Sequence, residues 1–330
     1  MTPTVASPAP DAWLRPDAKP RRVLVIHNPV AGGRRALRLY ATIEELAQRH
    51  GANVTVWATS KPGDAEAMAA AVKSGRYDVI AVAGGDGTIS EAINGLAACA
   101  APVGIPLGII PLGTANVLAH ELGLPFDPSG TAALLATGGG RPIHLGVVNG
   151  RYFSMMAGVG LDARVVDGVS TRFKRVVGKA AYATSTLVQL CGRTDHVYHV
   201  KVNEESWEVA SVVVANGRFY GGRFVCAPQA SLAVPGLHVC LFRRPGQWNA
   251  VRYMCSIAMG RLHRLPDYRV IPAGTVSIEG PAGEPVQADG DIVARLPVQI
   301  ASAARPLPVL APASLTLGGP ASRASCRHRL

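Results

Sequence analysis

Val82-Ala83-Gly84-Gly85-Asp86-Gly87-Thr88 closes an apolar run that starts at Asp78 and leads into an amphipathic stretch over residues 89–98. Read locally, this is a strand, a glycine turn and a helix start. Glycine at positions 84, 85 and 87 lets the backbone approach a polyanion and take positive φ, while the first free N–H groups of the helix point toward it. A phosphate fits such a turn. Asp86 is its unusual member, because a carboxylate beside a phosphate is repelled unless it holds a metal ion, orients a hydroxyl or accepts a proton. The turn therefore points to phosphoryl transfer, with helix capping as the alternative role for Asp86.

Outward from this turn, short apolar strands alternate with amphipathic helices. Strands are expected over residues 23–26, 53–58 and 107–110, beside the run over 78–83 that precedes the turn. Helices are expected over 34–50, with Leu37, Tyr40, Ile43, Leu46 and Ala47 on one face, and over 64–74. This βαβα order implies a parallel sheet with helices on both faces. Loops starting at Asn28, Thr59, Gly84 and Pro111 then gather at its carboxyl edge, where ligands bind in such sheets. Asn28-Pro29-Val30-Ala31-Gly32-Gly33 offers glycines for close approach and Arg34 and Arg35 for an anion, although an ordinary strand-to-helix turn reads the same way. Thr59 and Thr114 each suit either a nucleotide contact or a cap.

From about residue 140 the pattern becomes β-rich. Residues 142–148 and 151–155 flank Asn149-Gly150, a type I′ hairpin signal. A helix is expected over 174–190, and strands over 196–202, 207–215, 237–242, 269–271, 275–278 and 298–301. The division read from this is a flexible tail (1–20), a nucleotide-binding α/β domain (21–145), a mainly antiparallel β-rich domain (146–315) and a second tail (316–330).

The 330 residues are 48 % hydrophobic, enough for two cores. Residues 1–20 lack the apolar segment of a secretory signal. The 28 uncharged residues from 92 to 119 are broken by Pro102, Pro106 and Pro111, which argues against a membrane span. Six cysteines without metal-ligand spacing read as reduced core thiols of a cytoplasmic protein. His27, His120, His144 and His238 match no ligand pattern either. Of the net charge of +11, residues 1–145 carry 12 basic against 11 acidic residues, so residues 146–330 carry 21 against 11. Such a surface is either merely solvated or complementary to an anionic membrane. No nucleic-acid motif accompanies it.

Together these segments resemble the diacylglycerol kinase catalytic family, which includes bacterial soluble lipid kinases and sphingosine and ceramide kinases. The matching pieces are IHNPVAGG (26–33), VAGGDGTISEAINGL (82–96), GIIPLGTANVLAHELGLP (108–125), AGVGLDARVV (157–166), VVVANGRFYGGRFVCAP (212–228) and VQADGD (286–291). The resemblance implies an NAD kinase/diacylglycerol kinase-like α/β domain, a lipid-facing C-terminal β-sandwich and catalysis between them. It places ATP against Asn28, Pro29, Val30, Ala31, Gly32, Thr59, Gly84, Gly85, Asp86, Gly87, Thr88, Ile89, Ser90, Glu91 and Thr114. Mg²⁺ would arrive with ATP, with Asp86 or Asp289 as protein contacts and no dedicated metal site.

The family's base lies in an Asp-Gly-Glu triplet. Asp289-Gly290-Asp291 stands in its place, making Asp291 the expected base with a side chain one methylene shorter. The family's structural Mg²⁺ site uses an acid before a glycine, where this chain has Val234 and Pro235 before Gly236. The implied activity is phosphorylation of a lipid hydroxyl, diacylglycerol first and a sphingoid base or ceramide second, by a protein peripheral to the inner membrane face. A soluble NAD kinase-like enzyme and a lipid-binding protein without catalysis are the alternatives, and a homo-oligomer is compatible with all three. Arg172, Lys174, Arg175 and Lys179, interleaved with Phe173, Val176 and Val177, suggest a membrane-facing helix or a solvated one.

Overall fold

A computed structural model of the protein describes residues 19–30, 35–98, 104–160 and 196–312. The expected helix over 174–190 and the basic cluster at 172–179 lie outside these residues, as do Ala31 and Gly32.

The first sheet grows from β1 (Arg22–His27), β2 (Asn53–Ala58), β3 (Val79–Gly84) and β4 (Leu107–Pro111), all parallel, in the order β2-β1-β3-β4. β3 is buried along its whole length, which is why it reads as a continuous apolar run. Helix α1 (Ala36–Gln48) packs on α5 (Pro128–Thr137), and α2 (Asp64–Ala70) packs on α3 (Asp86–Ala97). Right-handed crossovers put the two pairs on opposite faces, as the strand order requires. In α1 the buried residues are Leu39, Thr42 and Leu46, whereas Leu37 and Tyr40 are exposed. The expected apolar face is therefore rotated, because Thr42 can turn inward by donating its hydroxyl to the Arg38 carbonyl (2.7 Å).

Two further strands complete this sheet. β5 (Gly140–Ile143) and β20 (Leu307–Leu310) extend it to β2-β1-β3-β4-β20-β5, with β20 parallel to β4 and antiparallel to β5. The chain's last described strand thus returns to its first sheet.

Two antiparallel sheets form the second half. One runs β10 (Glu205–Val209), β9 (Tyr198–Val202), β16 (Thr275–Glu279), β19 (Val298–Ser302), β6 (Gly146–Val148), β7 (Arg151–Phe153). The other runs β15 (Tyr268–Ala273), β14 (Leu237–Phe242), β11 (Ser211–Ala215), β8 (Met156–Val159), β17 (Pro285–Ala288), β18 (Asp291–Arg295). Asn149 (φ 47°) and Gly150 (φ 82°) make the expected β6–β7 turn. Residues 207–215, expected as one strand, divide between β10 and β11 in different sheets.

β11 explains why that run is so apolar. Val212 and Val214 fill the core between the two antiparallel sheets, whereas Val213 and Ala215 join the core continuous with the α/β domain. Its sheet is thus a middle layer, covered beyond by helix α6 (Gln247–Ala258), which the sequence pattern did not suggest. A small hairpin, β12 (Phe219–Tyr220) and β13 (Phe224–Val225), connects α6 with α4 (Val117–Glu121). An α/β domain with a mainly antiparallel β-sandwich is the architecture the sequence implies. Cys226 and Cys240 are buried, but Cys255 on α6 is exposed and is no core thiol.

Candidate active site

Backbone hydrogen bonds lace the loops at the carboxyl edge of the first sheet. Asn28 N–H donates to Ala83 (3.0 Å), Thr59 to His27 (2.9 Å), and both Leu112 and Gly113 to the Gly84 carbonyl (3.0 and 3.1 Å). Asn28 Nδ2 donates to Thr88 Oγ1 (3.1 Å), and its Oδ1 accepts from Val30 N (3.0 Å). Arg35 donates to the Gly113 carbonyl. The structure thereby brings Asn28, residues 84–88 and the loop carrying Thr114 side by side, with Thr59 on the flanking strand end. Pro29, Val30 and Thr114 are exposed, and Ile89 is buried in the core, leaving its backbone toward the turn.

Glycine at 113 is a packing requirement, since a Cβ there would lie 2.5 Å from Gly85 Cα. Gly87 differs: its Cβ would meet only Asp291 Oδ2, at 3.7 Å. The Asp-Gly-Asp turn of the β-sandwich therefore reaches the glycine turn of the α/β domain.

The three acids at this junction are held differently. Asp86 accepts from Asn116 N (2.9 Å) and Val117 N (2.7 Å), amides at the start of α4. It caps a neighbouring helix while opening its own. Burial pushes its carboxyl up, against the pull of those amides. Asp289, at φ 47°, accepts four hydrogen bonds: Oδ2 from Ser154 N (2.6 Å) and Oγ (2.8 Å), Oδ1 from Met155 N (2.9 Å) and Met156 N (3.1 Å). Burial likewise pushes it up, opposed by these donors. A carboxylate has about four acceptor directions, so Asp289 keeps none for a metal ion. It anchors the turn, together with Gln287, whose Oε1 accepts from Gly290 N (2.9 Å). Asp291, at the start of β18, is exposed.

Glu91 turns toward α2 and accepts from Ala65 N (3.2 Å). Asn94, one turn on, is buried. It donates to Ser90 O and Tyr152 O and accepts from Tyr152 N, all at 2.9 Å, pairing with β7 as a strand edge would. An asparagine on the apolar face between Ile93 and Leu96 was the signal available for this. Glu66 with Arg151 (2.8 Å) and buried Glu121 with Arg218 (2.9 Å) fasten the same two domains. Among the described residues no three His, Cys, Asp or Glu side chains cluster as metal ligands.

Residues 22–148 match the diacylglycerol kinase catalytic domain, and residues 155–317 match the YegS C-terminal NAD kinase beta sandwich-like domain. A diacylglycerol kinase of Mycobacterium tuberculosis is 30 % identical over 301 residues, spanning 88 % of this chain and 95 % of that protein. The chain belongs to the diacylglycerol kinase family. Another relative in the diacylglycerol kinase family, from Bacillus subtilis, is 36 % identical over 165 residues, covering 49 % of this chain and 53 % of its own. The crystal structure of a diacylglycerol kinase from Bacillus anthracis superposes with a TM-score of 0.72 over 90 % of this chain and 99 % of that one, at 24 % identity, a likeness of fold.

Proposed function

We propose that this protein is an ATP-dependent lipid kinase that phosphorylates a primary lipid hydroxyl, diacylglycerol to phosphatidate. The observation that carries the reading is the approach of Asp291 to Gly87, which sets an exposed carboxylate against a phosphate-binding turn. ATP lies along residues 28–32, Thr59, residues 84–90 and Thr114. The backbone amides of the turn and the Thr88 hydroxyl receive its phosphates.

The donor set suits a metal carried by the nucleotide rather than a protein cage, since Mg²⁺ binds through phosphates, waters and one or two carboxylates. Asp291, the exposed acid at the junction, and Asp86 are the carboxylates that would meet it, and the ion would neutralise phosphate charge. Asp291 accepts the lipid hydroxyl's proton, the freed oxygen attacks the γ-phosphorus, the bond to the β-bridging oxygen breaks, and ADP leaves. Close approach of the two turns offsets the methylene that Asp291 lacks relative to glutamate. Among the described residues no helix is long and apolar enough to cross a membrane. The lipid is met at the inner face of the membrane.

Transfer of radiolabelled γ-phosphate from ATP and Mg²⁺ to mixed micelles of diacylglycerol, ceramide or sphingosine tests the proposal. Labelled phosphatidate is the expected product. A labelled sphingolipid alone would overturn the substrate assignment, and absence of any labelled lipid from a folded protein would overturn the activity.

A further inference from the structure

We infer that the outer face of α6 docks on an anionic lipid bilayer. Helix α6 is apolar on two sides. Ala250, Tyr253 and Ile257 are buried, which accounts for one. The other presents Trp248, Val251, Cys255 and Ala258, spaced three or four residues apart and all exposed, with exposed Met259 just past the helix end. Trp248 is 86 % exposed and Met259 58 %. A helix that covers a protein core normally turns a charged face outward. The single charged residue of α6, Arg252, stands at the margin of the stripe and is paired with buried Asp267.

The surrounding charge identifies what this stripe meets. Residues 209–266 contain seven arginines and no aspartate or glutamate, while Glu208 and Asp267, which flank this range, lie beside Arg243 and Arg244. Arg243 and Arg244 precede α6, Arg261 and Arg264 follow it, and all four are exposed. Arg243 and Arg269 both lie over the Trp207 ring, at 5.8 and 5.1 Å from its centroid. Aromatic and aliphatic side chains framed by guanidinium groups match an interface in which acyl chains lie beneath phosphate headgroups. A second copy of the chain suits the stripe less well, since a two-fold contact through α6 would set arginines against arginines. The surface also continues beyond the helix: α6 packs on β13, whose hairpin reaches α4, and Arg223 and Phe224 of that hairpin are exposed. Docking through α6 would bring the hairpin beside the active-site cleft to the bilayer. In purpose the inference rests on the lipid kinase reading, but binding is measurable without turnover.

The test is co-sedimentation of the full chain, without nucleotide, with phosphatidylcholine vesicles and with vesicles that also contain phosphatidylglycerol. Wild-type protein is expected on the anionic vesicles, with Trp248→Asp and Arg261→Glu/Arg264→Glu each lowering the partition coefficient about tenfold. Quenching of tryptophan emission by brominated lipid is expected to drop in Trp248→Phe. Phosphorylation of a water-soluble short-chain diacylglycerol should be unchanged in these variants, while that of vesicle-borne lipid falls. Wild-type partition by both charge-altering variants would overturn the inference, as would a concentration-dependent dimer abolished by Trp248→Asp with vesicle binding intact. If instead no substrate is phosphorylated yet vesicle binding depends on Trp248, the kinase reading fails and the docking surface stands.

Discussion

Two aspartate-bearing turns meet in this molecule, one from each domain, and they use their acids differently. In the glycine turn, Asp86 holds the amides of Asn116 and Val117 and so fixes α4. In the Asp-Gly-Asp turn, Asp289 gathers three amides and a hydroxyl from residues 154–156, and this fixed turn carries Asp291, the exposed acid of the three. An acid inside a motif is thus not chemical by position alone. Its partners matter as much: Asp289, with four donors on its two oxygens, fixes the turn that carries Asp291.

The largest effect expected from this division is on Asp289. Asp289→Ala leaves three amides and a hydroxyl without their acceptor and should cost about 3–5 kcal/mol in denaturant unfolding; a loss below about 1 kcal/mol would break the comparison. The glycines sharpen it next. Gly113→Ala forces its Cβ to within 2.5 Å of Gly85 Cα and should cost about 1–3 kcal/mol. Gly87→Ala meets Asp291 at 3.7 Å, an ordinary contact, so stability should stay within about 0.5 kcal/mol while the KM for ATP rises. Equal unfolding midpoints for the two variants would remove the distinction.

Asp86→Ala, losing a cap, should cost about 1–2 kcal/mol by thermal unfolding. The smallest effect lies away from the cleft, where Arg22 holds the Asp78 carboxyl below its usual range through a bidentate bond. A depressed folded-state value means stabilisation that is present above the ordinary carboxylate range and lost as pH falls through the folded value. Arg22→Ala should therefore flatten the acid limb of the stability curve and leave neutral pH nearly unchanged; an unaltered acid limb would deny the pair any role.

Sequence reading located what local chemistry determines. β2 and β14 occupy residues 53–58 and 237–242 as expected, because alternation or apolar runs end at turn residues. The glycine turn likewise lies at the sheet's carboxyl edge, where its flanking strand and helix put it. What escaped depends on distant partners. The run over 207–215 looks uniform because β11 is buried on both faces, so nothing marks the change of sheet at Ala210. Helix α6 was missed because its outward positions carry Trp248, Val251 and Cys255 in place of charged residues, which blurs the contrast between its faces. β20 carries Pro308 and follows Pro306, so it reads as loop, although its place between β4 and β5 supplies the pairing. Asp289 finds its partners 133 to 135 residues upstream, beyond any local pattern.

The most direct test of the central claim is the turnover of Asp291→Asn on diacylglycerol micelles, measured beside its thermal unfolding. Asparagine keeps the shape and removes the proton acceptor. The account predicts a fall of about 10²- to 10⁴-fold in kcat with an unchanged Tm. Near wild-type turnover from a folded Asp291→Asn protein would contradict it and return the search for the base to other residues at the junction of the two turns.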